Sequence, residues 1–319
     1  MRSVCRVRAG RRARAAGQRG VAVVTALLVV MLATTVVAGL FVRESVTVRS
    51  VENRLALSQT RWVERAALDW AKVILRADAR GGVVDHLGEP WAVPVAETQL
   101  DETVTGGARI GDKSRPAMLA GQILDAQARF NLMAMVQGGR VSDAHLAAFR
   151  RLLSVLGQPE SLADMVLSRL LRSIPRTLEG NTVPPEELAL LRLDDLRTVS
   201  GFDPAVIEAL RPFVVVLPEP TLVNVNTAPA EVLAALVPTL ELGGARRFVA
   251  RRERTYFRNL EEAARQIDGQ PVLPANLLSV GSRFFVVRGM VRFDRVETTS
   301  ETLIARSSDR VDILWQQRY

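Results

Sequence analysis

The chain has 319 residues, 48% hydrophobic and 24% charged, enough apolar material for a sizeable core, which excludes an intrinsically disordered protein. Its formal charge of +8 points first to nucleic acid or an anionic surface, but residues 1–20 hold seven arginines and no acid, so the remainder sits near +1. The lone cysteine, Cys5, lies in that basic segment, which excludes an intramolecular disulfide or a thiolate metal cluster.

Residues 21–42, VAVVTALLVVMLATTVVAGLFV, contain no charge, Pro, Asn or Gln. At about 1.5 Å per residue they are long enough to cross a hydrocarbon core of about 30 Å. The run is too long for a signal-peptide core, and no small-residue cleavage site follows it. Arginines precede it, and only Arg43 and Glu44 follow closely, which places the N-terminus in the cytoplasm and the body across the membrane, in the periplasm of a Gram-negative cell. The junction Gln18-Arg19-Gly20-Val21, a charged segment meeting an apolar helix across one glycine, resembles a class III prepilin leader. That resemblance implies cleavage after Gly20 and methylation of the new N-terminus, Val21.

Residues 43–77 contain no Pro or Gly and carry apolar positions, among them Trp62, Val63, Leu68, Val73 and Leu75, that suit a continuing amphipathic helix ending before Gly81-Gly82. Two separate helices fit the same pattern. Beyond lies a Pro/Gly-rich loop in which Trp91 is available to pack, then weak strands up to an apolar window over 118–125 and a turn at 129–131.

Residues 142–212 read as helical. Ser142 and Ser161 cap two helices, Pro184-Pro185-Glu186-Glu187 starts a third, and Asp203 with Pro204 starts a fourth before an apolar strand over 213–217. Thr227 is expected to cap a helix with Pro229 and Glu231 in its first turn. The following segment resembles a helix-hairpin-helix half, but its turn, 237–242, lacks the glycines that build a phosphate nest and adds a carboxylate. Arg246, Arg247, Arg251, Arg252 and Arg254 are expected on a solvated helix face. The C-terminal stretch reads as a hairpin or meander turning at Gly289.

An enzyme is not expected. His86 and His145 are far apart, are expected as surface or capping residues, and stand in no metal or nucleophile motif; no phosphate loop, dinucleotide fingerprint or serine elbow occurs. Asp194-Asp195 and Glu186-Glu187 are read as helix-start charges.

Gly20-Val21, the long helix, QILDAQARFNL (122–132), the helical insert and VNVNTAPAEVLAAL (223–236) followed by strands together resemble the general secretion pathway protein K family, the large minor pseudopilin of type II secretion. The resemblance implies a pilin-like α+β fold: a long N-terminal helix and an antiparallel sheet with a large α-helical insert, SAM-like or helix-hairpin-helix-like. The organisation expected is a leader over 1–20, a membrane helix over 21–42, its periplasmic half over 43–80, strands over 81–135, the insert over 136–218, the hairpin-like segment over 219–270 and terminal strands over 271–319. It also implies a place at the pseudopilus tip, in the bacterial inner membrane, supporting export of folded proteins across the outer membrane. The implied partners are minor pseudopilins I and J, other pseudopilus subunits and the prepilin peptidase, with no nucleic acid and no cofactor. Thr25, the fifth mature position, replaces the Glu usual in pilins, as the K-type members do, and suits a subunit with nothing above it. The acidic loop that carries calcium in the family is not matched by LSRLLRSIP (167–175). The alternative is a membrane-anchored DNA-uptake receptor using the hairpin-like segment.

Overall fold

The computed structural model describes residues 18–100, 111–112, 115–178, 181–293 and 295–319; the leader as far as residue 17, with Cys5, lies outside the described residues. The chain divides into Met1–Ser58 and Gln59–Tyr319, which are described in turn.

In the first unit, helix α1 (Gln18–Gly81) begins. Its apolar residues, Val21 to Val42 and on through Val51, are all exposed, and none of the apolar window is buried by protein. Such a surface belongs in lipid or against other helices. The hydroxyls of Thr34, Thr35 and Ser45 donate to carbonyls three or four residues back, so the stretch brings no unsatisfied polar group of theirs into an apolar medium.

In the second unit, the final turns of α1 bury Val63, Leu68, Ala71 and Leu75 at helical spacing, and the helix ends at Gly81, as the glycine pair predicts. These residues lie on one face of an antiparallel sheet of β1 (Val95–Leu100), β2 (Arg115–Asp125), β3 (Phe284–Phe293), β4 (Val296–Arg306) and β5 (Val311–Arg318), in that order, with Gly111–Asp112 paired to β2. Alternation along β3 decides which face each residue serves. Phe285 and Val287 join Leu68, Leu75, Trp91 and Ile304 under the helix, whereas Phe284 and Val286 join Val215, Leu217 and Leu303 on the reverse. Each such large side chain contributes about 1.5–3 kcal/mol on burial. Trp91 packs edge-on against Phe285, ring centroids 5.2 Å apart.

Between β2 and β3 the chain makes its long excursion. Helices α2 (Asp143–Val155), α3 (Leu162–Arg172), α4 (Pro204–Leu210), α5 (Ala230–Leu236), α6 (Leu242–Arg252) and α7 (Leu260–Ala264) surround one hydrophobic cluster running from Phe130 to Leu278. Residues on both sides of position 219 contribute to it. Two short parallel pairings close the excursion, Phe130–Asn131 with Val214–Val215 and Val223–Asn224 with Leu278–Ser279. Asn131 clamps the first: its Nδ2 donates to the Glu219 carbonyl at 2.7 Å and Thr221 Oγ1 at 3.1 Å, and its Oδ1 accepts from the Met133 and Leu217 amides, each at 3.1 Å.

Ser142, Ser161 and Asp203 stand at the N-caps predicted, and Asp203 accepts from the Val206 amide at 2.9 Å. Two expectations are corrected. No helix starts at Pro184-Pro185: the Glu186 and Glu187 amides both donate to the Arg172 carbonyl, and the Glu187 carboxylate pairs with Arg169 and Arg172 at 2.6 and 2.5 Å, so these groups serve the end of α3. Asp194 and Asp195, by contrast, do lie in the first turn of a short 3-10 helix. Gly289 is not a turn but the middle of β3, opposite Gly121 and Ser300; the reversal falls between Phe293 and Val296.

One glycine is fixed by close approach. A Cβ at Gly281 would lie 2.3 Å from the Val83 carbonyl oxygen, whereas one at Gly289 would find its nearest neighbour at 3.7 Å. Gly281→Ala is therefore expected to cost about 1–3 kcal/mol or more as overpacking against backbone. Denaturant unfolding of the detergent-solubilised protein should show its midpoint well below that of Gly289→Ala; equal midpoints would refute the close approach.

Candidate functional site

The residues singled out at the N-terminus share the first turns of α1. Gly20 and Val21 are both helical, and the Thr25 hydroxyl donates to the carbonyls of Val21 and Ala22, each at 3.0 Å. The fifth position of a chain beginning at Val21 is thus neutral and bonded to its own helix, with no carboxylate to offer a neighbouring ammonium. Glycine is about 1 kcal/mol poorer than alanine in a helix, which eases opening of this first turn at the Gly20–Val21 bond.

A second constellation lies where the excursion leaves β2 and returns to β3. Asp125, the last residue of β2, is 5% exposed. Its Oδ1 accepts from the Gln127 amide at 2.7 Å, and its Oδ2 accepts from Thr227 Oγ1 and Ser282 Oγ, both at 2.6 Å, and from Asn224 Nδ2 at 3.1 Å. Burial pushes the Asp125 carboxyl above the usual carboxylate range, and the donors from Ser282, Thr227 and Gln127 oppose that shift. Asn224 Nδ2 also reaches the Asp85 carbonyl at 3.0 Å, while Asp85 Oδ2 accepts from the Ser282 amide at 2.7 Å.

Arg306, at the end of β4, completes the group. Its Nη2 donates to both Asp85 oxygens at 2.6 and 2.8 Å and to the Ser282 carbonyl at 2.8 Å, its Nη1 meets Asp78 at 2.5 Å, and its guanidinium carbon lies 4.5 Å from the Phe285 ring centroid. Among the described residues, Asp78, Asp85 and Glu89 bring ligand-type oxygens within 4.8 Å of one another, an arrangement able to hold a cation. The Arg306 guanidinium already lies on two of them, and Glu89 Oε2 accepts from the His86 amide and from Trp91 Nε1 at 2.9 and 2.7 Å. Both hydroxyls, Thr227 and Ser282, donate to Asp125. The group fastens chain segments together, and its hydroxyls and the Asp125 carboxylate are buried away from solvent.

Three further expectations are corrected here. Thr227 does not cap α5: the N-cap is Pro229, and the Thr227 hydroxyl serves Asp125 instead. Of the two places expected for His145, surface or cap, the surface one is wrong: it is 3% exposed in the first turn of α2, with its Nδ1 2.8 Å from Oγ of the N-cap Ser142, and burial lowers its pKa. Arg252 is not on a solvated face; it is buried, with Nη1 donating to the Val225 and Ala228 carbonyls, both at 2.7 Å. The remaining arginines of α6 are exposed, with Arg246 3.8 Å from Glu231 and Arg247 and Arg251 3.2 and 3.6 Å from Asp268.

Sequence reasoning flagged Asp125 within the QILDAQARFNL string but not its partners. Asp85, Ser282 and Arg306 had no local signal; the polar residues inside VNVNT, in an apolar setting, were the one available hint.

Comparison with known proteins agrees with this architecture. Two models of type II secretion system protein K match residues 128–219 and 223–281. The type II secretion system protein K of Pseudomonas aeruginosa is 31% identical, over 93% of this chain and 92% of its own length. That of Pectobacterium carotovorum is 26% identical, over 94% and 96%. The crystal structure of a GspK–GspI–GspJ complex from the enterotoxigenic Escherichia coli type 2 secretion system contains a chain of the same fold, with a TM-score of 0.66 at 22% identity, covering 84% of this chain and 99% of that one.

Proposed function

Since the chain belongs to the type II secretion system protein K family, a family of pseudopilins, we propose that it is a minor pseudopilin that sits at the tip of the pseudopilus and supports export of folded proteins across the outer membrane. The observation that carries this reading is α1. Its apolar stretch is wholly exposed, long enough to cross a membrane, and continues into a helix that packs on an antiparallel sheet. A solitary domain gains nothing from so large an apolar surface; a subunit that leaves the bilayer to pack against other such helices requires it.

In this reading the N-terminus is cytoplasmic and the body periplasmic. A prepilin peptidase cuts after Gly20 and methylates Val21, removing Cys5 and the seven leader arginines. Thr25 then leaves the first turn without a charge, which avoids a buried carboxylate in lipid where no following subunit brings an ammonium to meet it. The polar group around Asp125 holds the helical excursion to the sheet as a rigid mount for contacts with partner subunits. The GspK relative is in complex with GspI and GspJ, and the minor pseudopilins I and J are the partners proposed for this chain. The positive charge at Asp78 and Asp85 is taken to be that of Arg306, without a bound metal. Arg246 faces Glu231, Arg247 and Arg251 face Asp268, and Arg252 is turned inward, so α6 presents its basic residues interleaved with carboxylates rather than as one continuous face for the DNA-receptor alternative.

Co-expression with tagged I and J subunits of the same system tests the assignment. Stoichiometric co-purification is expected; recovery of an I–J pair lacking this chain would count against it.

A further inference from the structure

The cavity beside the end of α6, about 260 Å³, is lined by His86, Leu87, Gly88, Asn226 and residues 252–256. Its deepest charge is Arg252, 7% exposed. Of the three least exposed arginines among the described residues, the other two each have a carboxylate, Arg306 on Asp85 and Asp78 and Arg169 on Glu187. Arg252 has none within ion-pair distance among the described residues, and only its Nη1 is engaged, by two backbone carbonyls. Burial brings its pKa down to about 10, with the charge of the neighbouring Glu253 opposing, so it remains a cation at neutral pH. A buried guanidinium without a counter-ion is costly, and proteins ordinarily provide one.

The rest of the lining is mixed: Glu253 contributes one carboxylate, against the two guanidinium groups of Arg252 and Arg254. Arg254 adds a second charge, and His86 and Tyr256, stacked 3.8 Å apart at an interplanar angle of 6°, form a flat wall. We propose that this cavity is an oxyanion-binding site in which the remaining guanidinium donors of Arg252 meet a carboxylate or phosphate group, with Arg254 supplying a second charge at the rim. Arg252 in that case does two jobs. Its Nη1 staples α6 to residues 225–228, and its other donors pair with the incoming oxygens in the planar, two-pronged manner that a lysine would not reproduce.

The test uses the full-length protein in neutral detergent at constant ionic strength, titrated with glutarate, with inorganic phosphate and with uncharged glutaramide. Binding is read by calorimetry and by the arginine Nε–Hε resonances. Saturable binding of at least one oxyanion and none of glutaramide is expected, and whichever of glutarate and phosphate binds tighter identifies the group. Arg254→Gln should weaken that affinity about threefold, as for an exposed charge. Arg252→Gln should weaken it about tenfold or more, as for a charge-assisted pair. If Arg252→Gln does not fold, the glutaramide comparison and Arg254→Gln still decide. No saturable response to either anion, an equal response to glutaramide, or an affinity that Arg254→Gln leaves unchanged would overturn the proposal and leave Arg252 as a staple only.

Discussion

Asp125→Ala is expected to destabilise the folded body by about 2–5 kcal/mol, at about 1–3 kcal/mol for each buried donor left without an acceptor. The size follows from what is left behind. Asp125 accepts four hydrogen bonds inside the protein, from the Gln127 amide, Asn224, Thr227 and Ser282, and its truncation strands donors that water does not readily reach. Asn224 retains the Asp85 carbonyl and Ser282 Oγ as acceptors and Thr227 retains the Asn224 carbonyl at 3.4 Å, so the loss falls mainly on the Ser282 hydroxyl and the Gln127 amide. Asp125→Asn keeps an acceptor of the same shape and should cost clearly less. Denaturant unfolding of the detergent-solubilised protein measures both. If Asp125→Ala unfolds within about 1 kcal/mol of wild type, the polar group is not the fastening described here.

Arg306→Met is expected to be as damaging, for a different reason. Methionine keeps an apolar side chain of similar reach but loses the guanidinium over Phe285 and leaves Asp85, 2% exposed, and Asp78 without a cation. Breaking a buried pair by removing one partner costs about 3–5 kcal/mol, because the uncompensated charge remains. Burial already holds both carboxyls above their usual range against the pull of Arg306, so without the guanidinium they should take up protons more readily still. The sign is therefore fixed. A carboxyl whose folded-state pKa is raised contributes most below its unfolded pKa and loses that contribution as pH rises through the folded value. Arg306→Met should thus lie closest to wild type at acidic pH and fall away toward neutrality. A deficit that is constant with pH would show that the two carboxylates are not its source.

The parts of the fold legible in the sequence were those written in local patterns. The apolar run over 21–42, the helical spacing of Val63, Leu68 and Leu75, the stop at Gly81-Gly82 and the Asp203–Pro204 start each need only neighbouring residues to be read. Errors arose where a distant partner changed the local choice. Gly289 looks like a turn residue in isolation, but ten consecutive residue pairs between β3 and β4 carry the strand past it, and Gly121 lies opposite. Pro184-Pro185-Glu186-Glu187 has the composition of a helix start, yet its amides and the Glu187 carboxylate are taken by Arg172 and Arg169. Arg252 belongs by spacing to a basic helix, and only the fold turns it inward onto two carbonyls. The Asp125 group is the extreme case, since its members at 85, 125, 224, 227, 282 and 306 have no periodic relation.

Gly20, Val21 and Thr25 are different again, because their proposed roles concern a processing step and an assembly rather than the folded chain alone. Mass spectrometry of the N-terminal peptide from protein extracted from membranes of a cell with its own prepilin peptidase measures that step directly. A chain beginning at Val21, N-methylated and lacking residues 1–20, is the result predicted for a pseudopilin subunit. An intact Met1, or a mature end at any residue other than Val21, would contradict it.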